Sequence, residues 1–233
     1  MSANLTTIAF DADDTLWHNE RFFQLTQAKF ADLLSDYTDP DTLMSRLLAA
    51  EHRNLGQYGF GIKGFVLSMI ETAIEVTDEK VPARVIAQLL AAGQEMLQHP
   101  IELLPHAREA VAFAAQAHKV LLITKGDLLD QERILAQSGL GDMFHGGEIV
   151  SAKTPDVYAR VFCDHGTDPT RAMMIGNSMR SDVVPPIEIG GWGVFVPHGL
   201  EWEIEKADPP EHAARYRVLR DLGDLPALIE NLH

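Results

Sequence analysis

The chain has 233 residues, 46% of them hydrophobic, which suits one large domain or one domain carrying an insert. A formal net charge of −15 argues against a nucleic-acid backbone or an anionic membrane as partner, since both demand a basic face. The single cysteine, Cys163, rules out an intrachain disulfide and fits a reducing, cytoplasmic compartment. Apolar runs such as Val120–Ile123 are too short to span a bilayer, and the opening MSANLTTIAF lacks the basic flank and apolar stretch of a signal peptide.

Thr6–Phe10 (TTIAF) reads as a first strand, apolar on both sides. A long stretch with only helical periodicity follows. Phe22, Phe23, Thr26, Phe30, Leu33 and Leu34 keep that spacing, then Phe65, Val66, Met69, Ile70, Ala73 and Ile74, then Val85, Ile86, Leu89, Leu90, Gly93 and Leu97. Asp39-Pro40 and Val81-Pro82 read as helix starts, and Gly56–Gly64 (GQYGFGIKG) as a turn between helices. Beyond this insert come Glu109–Ala117 (helix), Lys119–Thr124 (strand), Leu129–Ser138 (helix), Gly147–Val150 (strand), Asp156–Asp164 (helix), Ala172–Gly176 and Trp192–Val196 (strands). Strands without alternation, separated by helices, imply a doubly wound parallel sheet covered on both faces. The expected architecture is an α/β core, residues 1–16 and 100–233, with an all-helical cap inserted at 17–99. The two crossings would act as hinges.

Four loops after strands carry the chemistry. Asp11-Ala12-Asp13-Asp14-Thr15 leaves the first strand at its carboxyl end, where open α/β sheets place ligands. Two carboxylates at that spacing repel each other and invite a cation suited to oxygen ligands, such as Mg²⁺. Thr124-Lys125-Gly126-Asp127 offers a hydroxyl, a glycine turn and a helix start, the parts of a phosphate cradle. Lys153 follows the third strand, ahead of an N-cap Thr154 and a first-turn Pro155. Gly176-Asn177-Ser178-Met179-Arg180-Ser181-Asp182 follows the fourth strand with an amide and a carboxylate, which reach the first loop if that strand lies beside the first. Each loop alone is ordinary; together they supply a nucleophile, a hydroxyl cradle, a cation and metal ligands.

The elements Asp11-x-Asp13-x-Thr15, Leu122-Ile123-Thr124-x-Gly126, Lys153-x-Pro155 and Gly176-Asn177-Ser178-x-x-Ser181-Asp182 resemble the four motifs of the haloacid dehalogenase superfamily of hydrolases. The resemblance covers nearly the whole chain, the helical cap included. It implies a Rossmann-like core and a Mg²⁺-dependent phosphatase acting on a small phosphorylated metabolite. Asp11 would attack phosphorus, and Asp13 would act as general acid and then base. Thr124, with Gly126, would hold the phosphoryl oxygens. Lys153 would offset the shared negative charge. Mg²⁺ would be held by Asp11, the backbone carbonyl of Asp13 and the fourth motif through Asn177 or Asp182. Two positions depart from the pattern. Asn177 stands where many members have aspartate, and Lys125 replaces a common asparagine, either as an extra phosphate-facing cation or as a solvated lysine. Members that displace halide lack the second carboxylate, so Asp13 points to phosphate monoesters; a phosphomutase would use the same pair.

In the cap, Trp17, His52, Arg53, Tyr58 and Lys63 could reach a substrate, against a surface or packing role that each more often fills. Lys63 is the best choice because it follows the Gly59-Phe60-Gly61 turn. Cys163 reads as a core residue, His198, after the fifth strand, as either bordering the site or solvated, and Glu201–Glu211 as acidic surface. Two other classes compete. A receiver domain needs a phosphate-accepting aspartate after the third strand, where Val150-Ser151-Ala152-Lys153 stands instead. A non-catalytic binder of a phosphorylated ligand or partner protein is disfavoured by the intact Asp11 and Asp13.

Overall fold

A computed structural model describes residues 5–200, 202–210 and 212–232. The chain divides into two compact units, one of residues 1–20, 101–125 and 131–233, the other of residues 21–100 and 126–130.

The first unit is built on a sheet with six strands among the described residues: β1 (Thr7–Phe10), β2 (Lys119–Lys125), β3 (Gly146–Val150), β4 (Ala172–Gly176), β5 (Trp192–Phe195) and β6 (Tyr216–Val218). Their order is β3-β2-β1-β4-β5-β6, and every pairing is parallel. This is a doubly wound α/β sheet. Alternate residues of β1 feed two cores, as the pleat requires. Ile8 and Phe10 pack in a cluster with Ala107, Ala110, Val111 and Ala114 of α5 (Ala107–Ala115 in chain order of helices) and with Leu225. Ala9 packs on the other face with Tyr158, Val161 and Phe162 of α7 (Pro155–Asp164). The short strands β1 and β4 and the centre of β2, buried throughout, follow from that double cover.

The expected start of α7 is as read: the Thr154 side chain accepts from Val157 N, and Pro155 occupies the first turn. Cys163, expected in the core, is exposed. One helical step past the buried Phe162 carries it off the packed stripe. Strand β6 was not anticipated. It has three residues and Arg217 at its centre, so it shows no apolar run to detect.

The second unit holds α1 (Glu20–Leu33), whose first residue lies in the first unit, with α2 (Pro40–Tyr58), α3 (Ile62–Val76) and α4 (Ala83–Leu97). Their periodic faces meet in one cluster, with Phe30, Leu34, Leu43, Leu47, Met69 and Leu89 almost fully buried. Asp39 caps α2 by accepting from Thr42 N at 2.9 Å, with Pro40 in the first turn. The glycine-rich turn is tighter than Gly56–Gly64. Gly56 and Gly64 lie inside helices, and only 59–61 breaks the chain, with φ of 73° at Gly59 and 114° at Gly61. No helix of the described residues is long and apolar enough to cross a membrane.

Candidate active site

Strand β1 sits between β2 and β4. Phe10 is level with Leu122 on one side and Ile175 on the other, and Asp11 N donates to Ile175 O at 2.9 Å. The loops after β1, β2 and β4 therefore leave the sheet at the same edge. The condition set by the sequence, that the fourth strand lie beside the first, is met.

After Asp11 the chain turns back tightly. Leu16 N donates to Ala12 O at 2.8 Å and Asp14 N to Trp17 O at 2.7 Å, with Asp14 in the left-handed region at φ 56°. The turn brings the Trp17 indole over Asp13. Trp17 Nε1 donates to Asp13 Oδ1 at 2.8 Å, and Gln131 Nε2, from α6 (Leu128–Ser138), donates to Oδ2 at 2.9 Å. Burial, joined by repulsion from Asp11, pushes the Asp13 carboxyl up to about 7 despite these two donors. Trp17 thus takes the packing role, fully buried and a hydrogen-bond partner of Asp13.

Lys153 is buried, and its ammonium bridges Asp11 Oδ1 and Asp182 Oδ1, the latter at 2.7 Å. Burial alone would lower the Lys153 pKa; the two carboxylates outweigh it and raise it well above the ordinary value. Asp182 lies in a π-helical turn, Met179–Val183, of the kind that often marks functional sites. Its Oδ2 accepts from Ser178 N at 3.0 Å. Burial and the Asp11 charge push its carboxyl up to about 7 as well, against the pull of Lys153. The Thr15 hydroxyl lies 3.2 Å from both Asp11 Oδ2 and Asn177 Oδ1 and accepts from Asn177 N at 3.1 Å. It ties the first loop to the fourth. Thr124 is buried at the end of β2.

The remaining expected residues have these surroundings. Lys125 is not solvated. Its ammonium donates to Glu205 Oε1 at 2.5 Å and Ser181 Oγ at 2.8 Å. Glu205 Oε2 in turn accepts from Ser178 Oγ and Ser181 Oγ, each at 2.6 Å. Glu205 belongs to the stretch read as acidic surface; Glu201 and Glu211 lie outside the described residues, but Ile204 and Glu205 are turned inward. Burial would raise the Glu205 carboxyl, yet Lys125 and the two hydroxyls hold it below the usual range. His198 is not a solvated loop residue either: its Nε2 lies 3.6 Å from Asp14 Oδ1. Gly126 and Lys63 belong to the second unit. Gly126 has φ 139°, a conformation that favours glycine. Lys63 Nζ is held by both oxygens of Asp127 at 2.9 Å.

The site fits a hard divalent cation. Asp11 and Asp182 share the single ammonium of Lys153, Asp13 stands close enough for the Asp11 charge to act on it, and Asn177 adds a carbonyl oxygen through Thr15, so the donors are all oxygen and negative charge is in excess. Burial first, and repulsion from Asp11 second, keep the Asp13 and Asp182 carboxyls raised. The arrangement presents one carboxylate fixed by lysine and threonine beside a second poised to carry a proton. Trp17 was a detectable partner of Asp13, four residues on in the same turn. Gln131 and Glu205 come from distant segments and leave no local signal.

The sequence matches the family model of haloacid dehalogenase-like hydrolases over residues 5–188. A comparison with curated proteins gave no match. Among solved structures, a haloacid dehalogenase-like family hydrolase from Xanthomonas campestris is 43% identical, with a TM-score of 0.88, covering 98% of this chain and 92% of that one. A predicted phosphoglycolate phosphatase from Haemophilus somnus is 15% identical with a TM-score of 0.64, covering 97% and 98%. A 2-haloacid dehalogenase from Pseudomonas syringae is 16% identical with a TM-score of 0.61, covering 98% and 100%. The last two likenesses are of fold alone.

Proposed function

The chain belongs to the haloacid dehalogenase-like hydrolases, and on that footing we propose that it is a Mg²⁺-dependent phosphomonoester hydrolase acting on a small phosphorylated metabolite. The observation that carries the reading is Asp13. A second carboxylate two residues after Asp11, held through both oxygens by Trp17 and Gln131 and pushed up to about 7, is suited to give and take a proton near neutral pH. Displacement of halide from carbon has no leaving oxygen to protonate and no use for such a group.

Asp11 attacks phosphorus while the bond to the leaving oxygen breaks, and Asp13 delivers its proton to that oxygen. The product is an aspartyl-phosphate on Asp11. Asp13, now a carboxylate, takes a proton from a water molecule as that water attacks phosphorus. Inorganic phosphate leaves and the Asp11 carboxylate is restored. Lys153 holds Asp11 in place and, with the Thr124 hydroxyl, offsets and orients the phosphoryl oxygens. Mg²⁺, which Asp11, Asp182, Asn177 and the Asp13 backbone carbonyl are suited to hold, would neutralise charge on the transferring group.

The test is hydrolysis of an aryl phosphate by the purified chain. Turnover is expected only with Mg²⁺ and is expected to vanish in Asp11→Asn. Wild-type turnover in that variant would overturn the reading.

A further inference from the structure

A second constellation, not used in the mechanism above, lies in part on the same loop after β1. Asp14, His18 and His198 bring one ligand-type atom each to within 4.8 Å of one another, the one such group of three found among the described residues. Asp14 is buried and the two histidines are largely enclosed, so this is not a solvated surface cluster. All three residues belong to the first unit.

Hydrogen bonds already orient two of the three members, His198 and Asp14, as ligands are held. His198 Nδ1 lies 3.1 Å from Leu200 O. A carbonyl can only accept, so Nδ1 carries the proton, and in the neutral ring Nε2 presents a lone pair. That lone pair stands 3.6 Å from Asp14 Oδ1, too far for a hydrogen bond. The Asp14 carboxylate is oriented by Asn19 N on Oδ1 and Glu20 N on Oδ2, each at 2.8 Å. Backbone partners that fix imidazole tautomer and carboxylate direction are the usual outer support of a metal centre. The His18 and His198 rings stand edge to face with centroids 5.9 Å apart, so the second imidazole is close without stacking on the first. Two ligands on a tetrahedral zinc, each at about 2.0–2.1 Å, stand about 3.3 Å apart, close to the separation of His198 Nε2 and Asp14 Oδ1.

We propose that Asp14, His18 and His198 form a site for a first-row transition-metal ion of the zinc class, separate from the all-oxygen Mg²⁺ site. Two imidazoles and one carboxylate suit zinc, whereas magnesium prefers oxygen throughout. The ion joins the turn after β1 to the loop after β5, and a fourth position stays open for water. The inference does not depend on the phosphatase reading.

The test titrates Zn²⁺ into the full-length protein in saturating Mg²⁺, with a chromophoric chelator as competitor. One equivalent is expected to bind at micromolar or lower concentration. The chain has ten histidines, so variants must place the ion. His18→Gln and His198→Gln are each expected to weaken binding by about tenfold or more, while Asp182→Asn, in the oxygen site, keeps it. Thermal unfolding without zinc shows whether each variant is folded. If neither histidine variant folds, the electron paramagnetic resonance spectrum of the Cu²⁺-loaded wild type decides, with coupling to two nitrogens expected. No micromolar zinc binding in the wild type, unchanged affinity in both folded histidine variants, loss of zinc in Asp182→Asn, or a copper spectrum without two-nitrogen coupling would each overturn the proposal.

Discussion

The Asp182 carboxylate occupies the space that a Cβ on Gly176 would fill. The last residue of β4 must therefore be glycine for Asp182 to fold back onto Lys153 from the π-helical turn. Gly176→Ala is expected to leave the sheet intact, displace Asp182, raise the Mg²⁺ concentration needed for half-maximal turnover and lower kcat/KM by roughly tenfold or more. Circular dichroism and a Mg²⁺ titration of activity check this. A folded variant with unchanged Mg²⁺ dependence would show that Asp182 does not act at the metal.

Gln131 separates function from stability. Its Nε2 serves Asp13, while its Oε1 is buried without a hydrogen-bond partner. Gln131→Met removes an unsatisfied acceptor but leaves Asp13 Oδ2 without its donor, and the two effects oppose, so the melting temperature should change little. Asp13 loses one of its two donors, so kcat/KM for an alkyl phosphate, whose leaving oxygen needs protonation, should fall by about three- to tenfold. The loss should be smaller for an aryl phosphate. Equal losses on both substrates would remove Gln131 from the proton-transfer step.

Glu205 sets a pH dependence of stability. Its folded pKa lies below the unfolded value of 4.5 because Lys125, Ser178 and Ser181 outweigh its burial. A depressed carboxyl contributes stability above the unfolded pKa and loses it as pH falls through the folded one. Glu205→Gln should therefore cost about 1–3 kcal/mol at neutral pH, where Lys125 is left without its carboxylate, and less in acid. Melting temperatures of the two proteins measured from neutral pH downward should converge below pH 4.5. Parallel curves would place the Glu205 contribution outside charge pairing.

The core strands were legible because a sheet covered on both faces demands short, unbroken apolar runs, as β1, β2 and β4 show. The helices of the second unit were legible from periodicity and caps such as Asp39-Pro40. Strand β6 was not, because an edge strand of three residues centred on Arg217 has neither length nor pattern. In the site, Asp11, Asp13, Lys153 and Asp182 could be singled out because each follows a strand, and Thr124 because it stands near the carboxyl end of one. The partners that tune them could not. Glu205 lies in a run of acidic and proline residues that composition assigns to solvent, and only the fold turns it onto Lys125. Cys163 erred in the opposite sense: apolar neighbours in sequence placed it inside, and one helical step put it outside.

The central claim, that Asp11 takes the phosphoryl group, is tested most directly by trapping the intermediate. Asp13→Asn, given Mg²⁺ and a ³²P-labelled aryl phosphate, needs no acid to expel its good leaving group but lacks the base for the second step. Acid quench should recover close to one equivalent of label on the peptide that contains Asp11. Label on another peptide, or none on the protein while the aryl alcohol is released in turnover, would contradict the account.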